Sequence, residues 1–173
     1  MYPLVHPGVA YLCYVAILRI RGRHGPGDRA AVALVVGSIL PDLIDQPLHR
    51  LADVPSTRTL GHSLLVAIPI CFFVWVLIRR FDVPDRVAGA FAVGYGSHLA
   101  ADAFWPVVLG LPLELGFLLW PITDSPPYVG QKPLGALAGR TVTTLWVELL
   151  ILGTALLVWW RDGRPGWPGI GFR

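Results

Sequence analysis

The sequence predicts an all-α fold: a polytopic membrane bundle of about five transmembrane helices forming one domain over residues 1–160, with a tail at 161–173. Three observations predict it. Hydrophobic residues make up 54% of the 173-residue chain and charged residues only 14%, with a mean hydropathy of +0.60, well outside the range of an average soluble domain. Charge-free runs alternate with arginine-bearing loops. The length accommodates a single domain and no second one.

The first helix is expected at Leu4–Leu18. Met1–Val5 is uncharged and Arg19, Arg21 and Arg23 follow the apolar run, so this segment reads as a retained anchor and not as a cleaved signal. The second is expected at Ala30–Ile44. Both are near the lower limit for ~30 Å of hydrocarbon, so flanking residues or local bilayer thinning must complete the crossing. Further helices follow at His62–Ile78, Arg86–Phe104 and Thr141–Trp160, the last a comfortable spanning length.

Between the last two lies PVVLGLPLELGFLLWP, residues 106–121, which is apolar but broken by Pro106, Pro112 and Pro121 and carries Glu114. It is too interrupted to span. It reads as an interfacial or re-entrant segment over the outer face, with Trp105 and Trp120 at headgroup level. The stretch TDSPPYVGQKPLGALAGR is turn-rich loop, and the tail RDGRPGWPGIGFR is expected to be mobile and cytoplasmic. Cys13 and Cys71 fall in apolar helix without CxxC spacing and read as small buried hydrophobes.

Arginine and lysine set the orientation. Arg19, Arg21, Arg23, Arg29, Arg79, Arg80, Arg86, Arg161, Arg164 and Arg173 fall on one side, against Arg50, Arg58, Lys132 and Arg140 on the other. The positive-inside rule then places the N-terminus outside and the C-terminus in the cytoplasm. The net charge of +3 fits contact with anionic membrane lipids. No basic stripe interleaves with aromatics, which argues against nucleic acid.

In this topology four polar motifs from four helices meet at the outer face: VHPG, ILPDLID, RTLGHS and SHLAAD. They carry His6, Asp42, Asp45, His62, His98 and Asp102. His98 and Asp102 are four apart and share a helix face with Gly94 and Ala90, small residues that let a neighbouring helix approach. Asp42 and Asp45 stand above the similar stripe Ala33, Gly37, Pro41. Pro41 frees a backbone carbonyl that protein or water must satisfy. The two aspartates oppose the dipole of a helix C-terminus, so positive charge is expected nearby.

Taken singly, His98 with Asp102 could be a polar clamp between helices, the aspartates a hydrated helix end, and His6 an interfacial residue. Together they ask for a cation, because ionisable groups in a membrane are costly and no matching set of lysines is present. Imidazole and carboxylate without thiolate is the ligand chemistry of hydrolytic zinc, manganese or iron(II), whereas structural zinc favours cysteine. Such a metal lowers the pKa of its water and directs it at an ester or phosphoester. A carboxylate left off the metal could act as general base or orient a ligand histidine.

The ordered series His6, Pro41-Asp42 with a second aspartate close behind, Arg58 to His62-Ser63, Ser97-His98 to Asp102, and Trp120-Pro121 resembles the membrane-bound metal-dependent hydrolases, also described as LexA-binding, inner-membrane-associated hydrolases of the YdjM type. The resemblance covers roughly residues 1–121. It implies a multi-helix membrane fold with a metal held by His6, Asp42, His62, His98 and Asp102, and Asp45 and Arg58 as the catalytic candidates. Two departures stand out: the second aspartate comes at Asp45, one residue later than in the family's PDxD, and Gly61 replaces a usual threonine. The pattern is more distantly similar to the all-α zinc-dependent phospholipases C, which would imply a phosphoester substrate, with lipid among the options.

Arg58 could clamp a phosphate or pair with an aspartate. Glu148, about seven residues into the fifth helix, could serve a site or bond a neighbouring helix. His24 and His49 read as loop residues, with His49 the one possible extra ligand. Two functions from different classes follow. One is a membrane-bound hydrolase acting at the outer face. The other is a non-enzymatic ion carrier or interaction module using the same groups. Carriers place polar groups near the midplane and repeat their halves, whereas here the groups cluster at one edge and no repeat is found.

Overall fold

The computed structural model describes residues 3–52, 56–125 and 142–167, the last without the side chains of 142–145. Among the described residues the fold is all-helical. A 3-10 turn at Pro3–Val5 leads into α1 (His6–Ile20), followed by α2 (Asp28–Leu51), α3 (Leu64–Arg80), α4 (Asp85–Val108), a 3-10 segment at Pro112–Leu119, and α5 (Val142–Arg161). Two stretches, Pro3–Ile20 and Asp28–Leu51, are long and apolar enough to cross a membrane by length and composition. Glycines together with His98 and Asp102 dilute the hydropathy of α4.

The spine is the parallel pair α2 and α4, whose residue numbers rise together from Leu34 beside Gly94 to Asp42 beside His98. A Cβ on Gly37 would overlap the Phe91 carbonyl, and one on Gly94 would overlap the Leu34 carbonyl. Each helix thus offers the other a bare backbone, the close approach expected of membrane bundles. Ala90, on the same stripe, is fully buried. Around this pair, α1 contributes Tyr11, Tyr14 and Val15 to one core cluster, and Ala67 of α3 packs with Phe91, Tyr95 and Leu99 of α4 in another. α5 lies against α1, where Ala155 and Leu152 reach Gly8.

Three helix boundaries differ from expectation. α2 continues seven residues past Ile44, with Pro41 and Pro47 inside it; each proline removes one backbone hydrogen bond and lets the other turns continue. Asp42 and Asp45 therefore sit inside a helix and not at its end, and His49 and Arg50 occupy the last turn, where the dipole favours positive charge. α3 begins at Leu64, because Ser63 is its N-cap and accepts from the Leu65 amide at 3.2 Å. His62 is left in the turn before it. α4 runs on to Val108 with Pro106 buried in its last turn.

The arginine-rich end is tied together. The Tyr11 hydroxyl donates to Asp162 at 3.0 Å, the Gly166 amide donates to Asp28 at 2.7 Å, and the Trp159 indole donates to the Pro165 carbonyl at 3.1 Å. Residues 162–167 thus lie against α1 and α2. Residues 168–173, with Arg173, lie outside the described residues, as do Lys132, Arg140 and most of the turn-rich loop.

Candidate metal centre

All four polar motifs meet at the opposite end. His6 is the first residue of α1, Asp42 and Asp45 stand on one side of α2, His98 and Asp102 on α4, and the 56–63 turn brings in Arg58 and His62. His6, His62 and His98 are essentially fully buried, as is Asp45; Asp102 is 6% exposed and Asp42 21%.

The imidazoles are oriented from behind. His98 Nδ1 lies 2.6 Å from the Ser38 backbone carbonyl, an acceptor only, so it must donate and the Nε2 lone pair points into the site. His62 Nδ1 lies 2.7 Å from Asp45 Oδ2. That carboxylate also accepts from the Thr59 amide at 2.7 Å, the Thr59 hydroxyl at 3.2 Å and the Gly61 amide at 2.8 Å. His62 therefore also donates through Nδ1 and offers Nε2 to the site. The two Nε2 atoms face one another at 3.1 Å. Two lone pairs at that distance need a proton or a metal ion between them. Burial pushes the His62 imidazole down, but hydrogen bonding to Asp102 and Asp45 outweighs it and raises its pKa. The two carboxylates beside His62 favour positive charge on that ring.

The remaining donors converge on the same point. His62 Nε2 is 3.4 Å from Asp102 Oδ2 and 3.8 Å from Asp42 Oδ1; His98 Nε2 is 3.9 Å from Asp42 Oδ1 and 4.0 Å from Asp102 Oδ2; His6 Nε2 is 3.7 Å from Asp102 Oδ1. Ligands at about 2.1 Å around one tetrahedral ion stand about 3.4 Å apart, so this spacing suits a small divalent cation. Two overlapping groups could hold one: His6, His98 and Asp102, and Asp42, His62 and His98. His6 stacks on His98 with ring centroids 3.8 Å apart, and its buried Nδ1 has no hydrogen-bond partner among the described residues.

The two catalytic candidates are placed differently. Arg58 Nε donates to Asp102 Oδ2 at 2.9 Å and lines a cavity of about 370 Å³ with His6, Asp42, His62 and Asp102. Asp45 sits behind His62 with both oxygens engaged, and is not part of the cavity wall. Its contact fixes the orientation of the His62 ring. His49 lines the cavity but joins neither ligand group. His24 lies beside Arg23 and Arg86 at the arginine-rich end, and Glu148 is buried on α5 outside both ligand groups.

Several contributors carry no pattern of their own in the sequence. The Ser38 carbonyl and the Thr59 and Gly61 amides act through backbone atoms. The Tyr95 hydroxyl holds the Gly61 carbonyl at 2.6 Å, and a Cβ on Gly61 would overlap the Pro41 carbonyl, so glycine at this position lets the turn lie on α2. The Pro112–Leu119 segment covers the site as expected: buried Phe117 meets the His62 ring edge-on at 6.1 Å and supports the Arg58 guanidinium at 5.5 Å. The Ser63 hydroxyl fastens this cover by donating to the Trp120 carbonyl at 2.6 Å. Gln46 and Arg50 join the wall; a signal was present, since Asp42, Gln46 and Arg50 recur every fourth residue.

A family model described as YdjM inner membrane protein matches residues 1–166. No curated protein and no solved structure matches the chain. The match spans nearly the whole sequence, and the chain belongs to that family.

Proposed function

We propose that this member of the YdjM inner membrane protein family is a metal-dependent hydrolase whose five α-helices all cross the membrane, with the N-terminus and the site outside and the C-terminus in the cytoplasm. The observation that carries the reading is the pair of buried imidazoles 3.1 Å apart, each pinned from behind so that only its lone pair faces the site. A polar clamp would need only a proton on one Nε2, but a third imidazole and two carboxylates also converge on the pair. This pair instead invites an electrophile, and the donor set of three histidines and two carboxylates without sulfur suits zinc first, then manganese or iron(II).

His6, Asp42, His62, His98 and Asp102 would hold the ion. When bound, it supplies Lewis acidity and lowers the pKa of water. The chain's own residues do the rest. Asp45 and the Ser38 carbonyl fix the histidine tautomers, the outer-shell role that sharpens a metal site. Arg58 balances Asp102 and presents its guanidinium to the cavity, where an anionic oxygen of an ester or phosphoester would lie. Asp42, the more exposed carboxylate, would offer one oxygen to the ion and accept on the other the proton from water as the water oxygen bonds to carbon or phosphorus. The ester bond breaks and the leaving oxygen takes the proton that Asp42 accepted, which restores the carboxylate. Phe117 and its segment keep bulk water off the histidines.

Metal content tests this first. Purified protein should hold about one or two divalent ions per chain, lose them to chelator with a fall in melting temperature, and lose most of them in His98→Ala. With zinc or manganese it should hydrolyse some member of a panel of esters and phosphoesters. Metal retained with no hydrolysis would favour a binding or carrier role; protein that neither binds nor is stabilised by metal would leave only the clamp.

A further inference from the structure

Beside the His–Asp cavity runs a second, larger groove of about 590 Å³ between the start of α1 and the second half of α2. Its floor is apolar: Leu4 and Pro7 on one side, Ile39, Leu43, Pro47 and Leu51 on the other. The last four recur every fourth residue and form one stripe about 18 Å long by helical rise. The parallel row, Asp42, Gln46 and Arg50, lines both the groove and the cavity, as does Pro3. One helix therefore presents two adjacent stripes, polar toward the metal site and apolar toward the groove, and the two spaces share a wall.

Leu4, Leu43 and Leu51 are 79%, 61% and 87% exposed, so the groove is open along its length. α2 is long and apolar enough, by length and composition, to cross the bilayer, and in the proposed topology an open apolar channel on it faces hydrocarbon. At the junction stands Arg50, with Arg58 across the cavity. Charge at the polar end and hydrocarbon-lined length at the other match one chemistry.

We propose that the groove holds the hydrocarbon chain of an anionic lipid whose phosphate-bearing head enters the His–Asp cavity between Arg50 and Arg58, so that the substrate is drawn from the bilayer. Calling this lipid a substrate rests on the hydrolase reading; its seat in the groove does not. Hydrocarbon gains little by leaving lipid for protein. Selectivity therefore comes from the head, while the groove sets the position and direction of the chain.

The test uses the full chain, metal-loaded, in phosphatidylcholine nanodiscs with a phosphatidic acid carrying a photoreactive group in its acyl chain. Crosslinks should concentrate on residues 39–51 and 3–7, above the level on Phe72 and Phe73 of α3, which are also exposed and report bulk lipid. Excess phosphatidic acid should remove the enrichment and diacylglycerol should not. Arg50→Gln should lower it about tenfold, the loss of one charge-assisted contact. Leu43→Trp, which fills the groove, should bring it to the α3 level, while unchanged α3 labelling and melting temperature confirm folding. Labelling at 39–51 no higher than on α3, or indifferent to Leu43→Trp and to competing phosphatidic acid, overturns the proposal. Because labelling needs no turnover, enriched crosslinks without hydrolysis count against the enzyme alone, and hydrolysis of a soluble phosphoester without enrichment counts against the lipid seat alone.

Discussion

At the scale of single residues, the division of labour between Asp42 and Asp45 decides how the site works. They are three residues apart on one helix, yet Asp45 is fully buried and accepts four hydrogen bonds, whereas Asp42 is 21% exposed and faces the cavity. Asp45→Asn turns one acceptor oxygen into a donor facing amide donors. It should cost about 2–4 kcal/mol of stability, more than one charge-assisted bond, and weaken metal binding about 10–100-fold through His62. Asp42→Asn should weaken metal binding with little change in the melting of the metal-free protein, since its carboxylate holds no loop. Denaturant melts and metal titrations of both variants check this, and an Asp45→Asn protein that melts and binds like the parent would refute it. The identity of the polar residues was legible from their order in the chain. The separate role of Asp45 was not, because it depends on a turn from residue 59 to 61 folding back onto α2, a contact between backbone amides and a side chain that no local pattern encodes.

At the scale of elements, the site exists because α2 and α4 come close enough for Asp42 to stand beside His98. Gly37 and Gly94 allow that approach, each lying where a Cβ would strike the other helix's backbone. Gly94→Ala should therefore destabilise by about 1–3 kcal/mol and lower metal affinity by separating the two ligand-bearing helices. Gly96→Ala, two residues away in open space, should stabilise by up to about 1 kcal/mol through helix propensity. Thermal melts with metal titration compare them, and equal behaviour of the two alanines would sink the close-packing account. The small-residue stripes were readable from the sequence, since i, i+4 spacing fixes a face regardless of partners. The ends of α2 and α4 were not. Proline reads as a breaker, yet Pro41, Pro47 and Pro106 all lie within helices, where packing and neighbouring groups hold the backbone that proline would free.

At the scale of the whole molecule, the proposed five crossings tie the two ends of the bundle to opposite sides of the membrane. If only Pro3–Ile20 and Asp28–Leu51 crossed, residue 56 and the C-terminus would lie on one side of the membrane. Three further crossings put them on opposite sides. The structure bears on this through the tail: Gly166 bonds to Asp28 at the start of α2, and Asp162 meets Arg19 and Tyr11 of α1, so residue 166 stays on the side where α2 begins. Residue 56 follows the end of α2, on the other side of any bilayer that α2 spans. In the proposed topology the positive-inside rule puts the tail's end of the bundle, with Arg19, Arg21, Arg23, Arg79, Arg80 and Arg161, in the cytoplasm. A reporter fused after Arg173 should therefore read cytoplasmic and one inserted near Ser56 should read outside. Both on one side would mean that α3, α4 and α5 do not make three crossings, and the metal site could then no longer be assigned to an outer face by the arginine count.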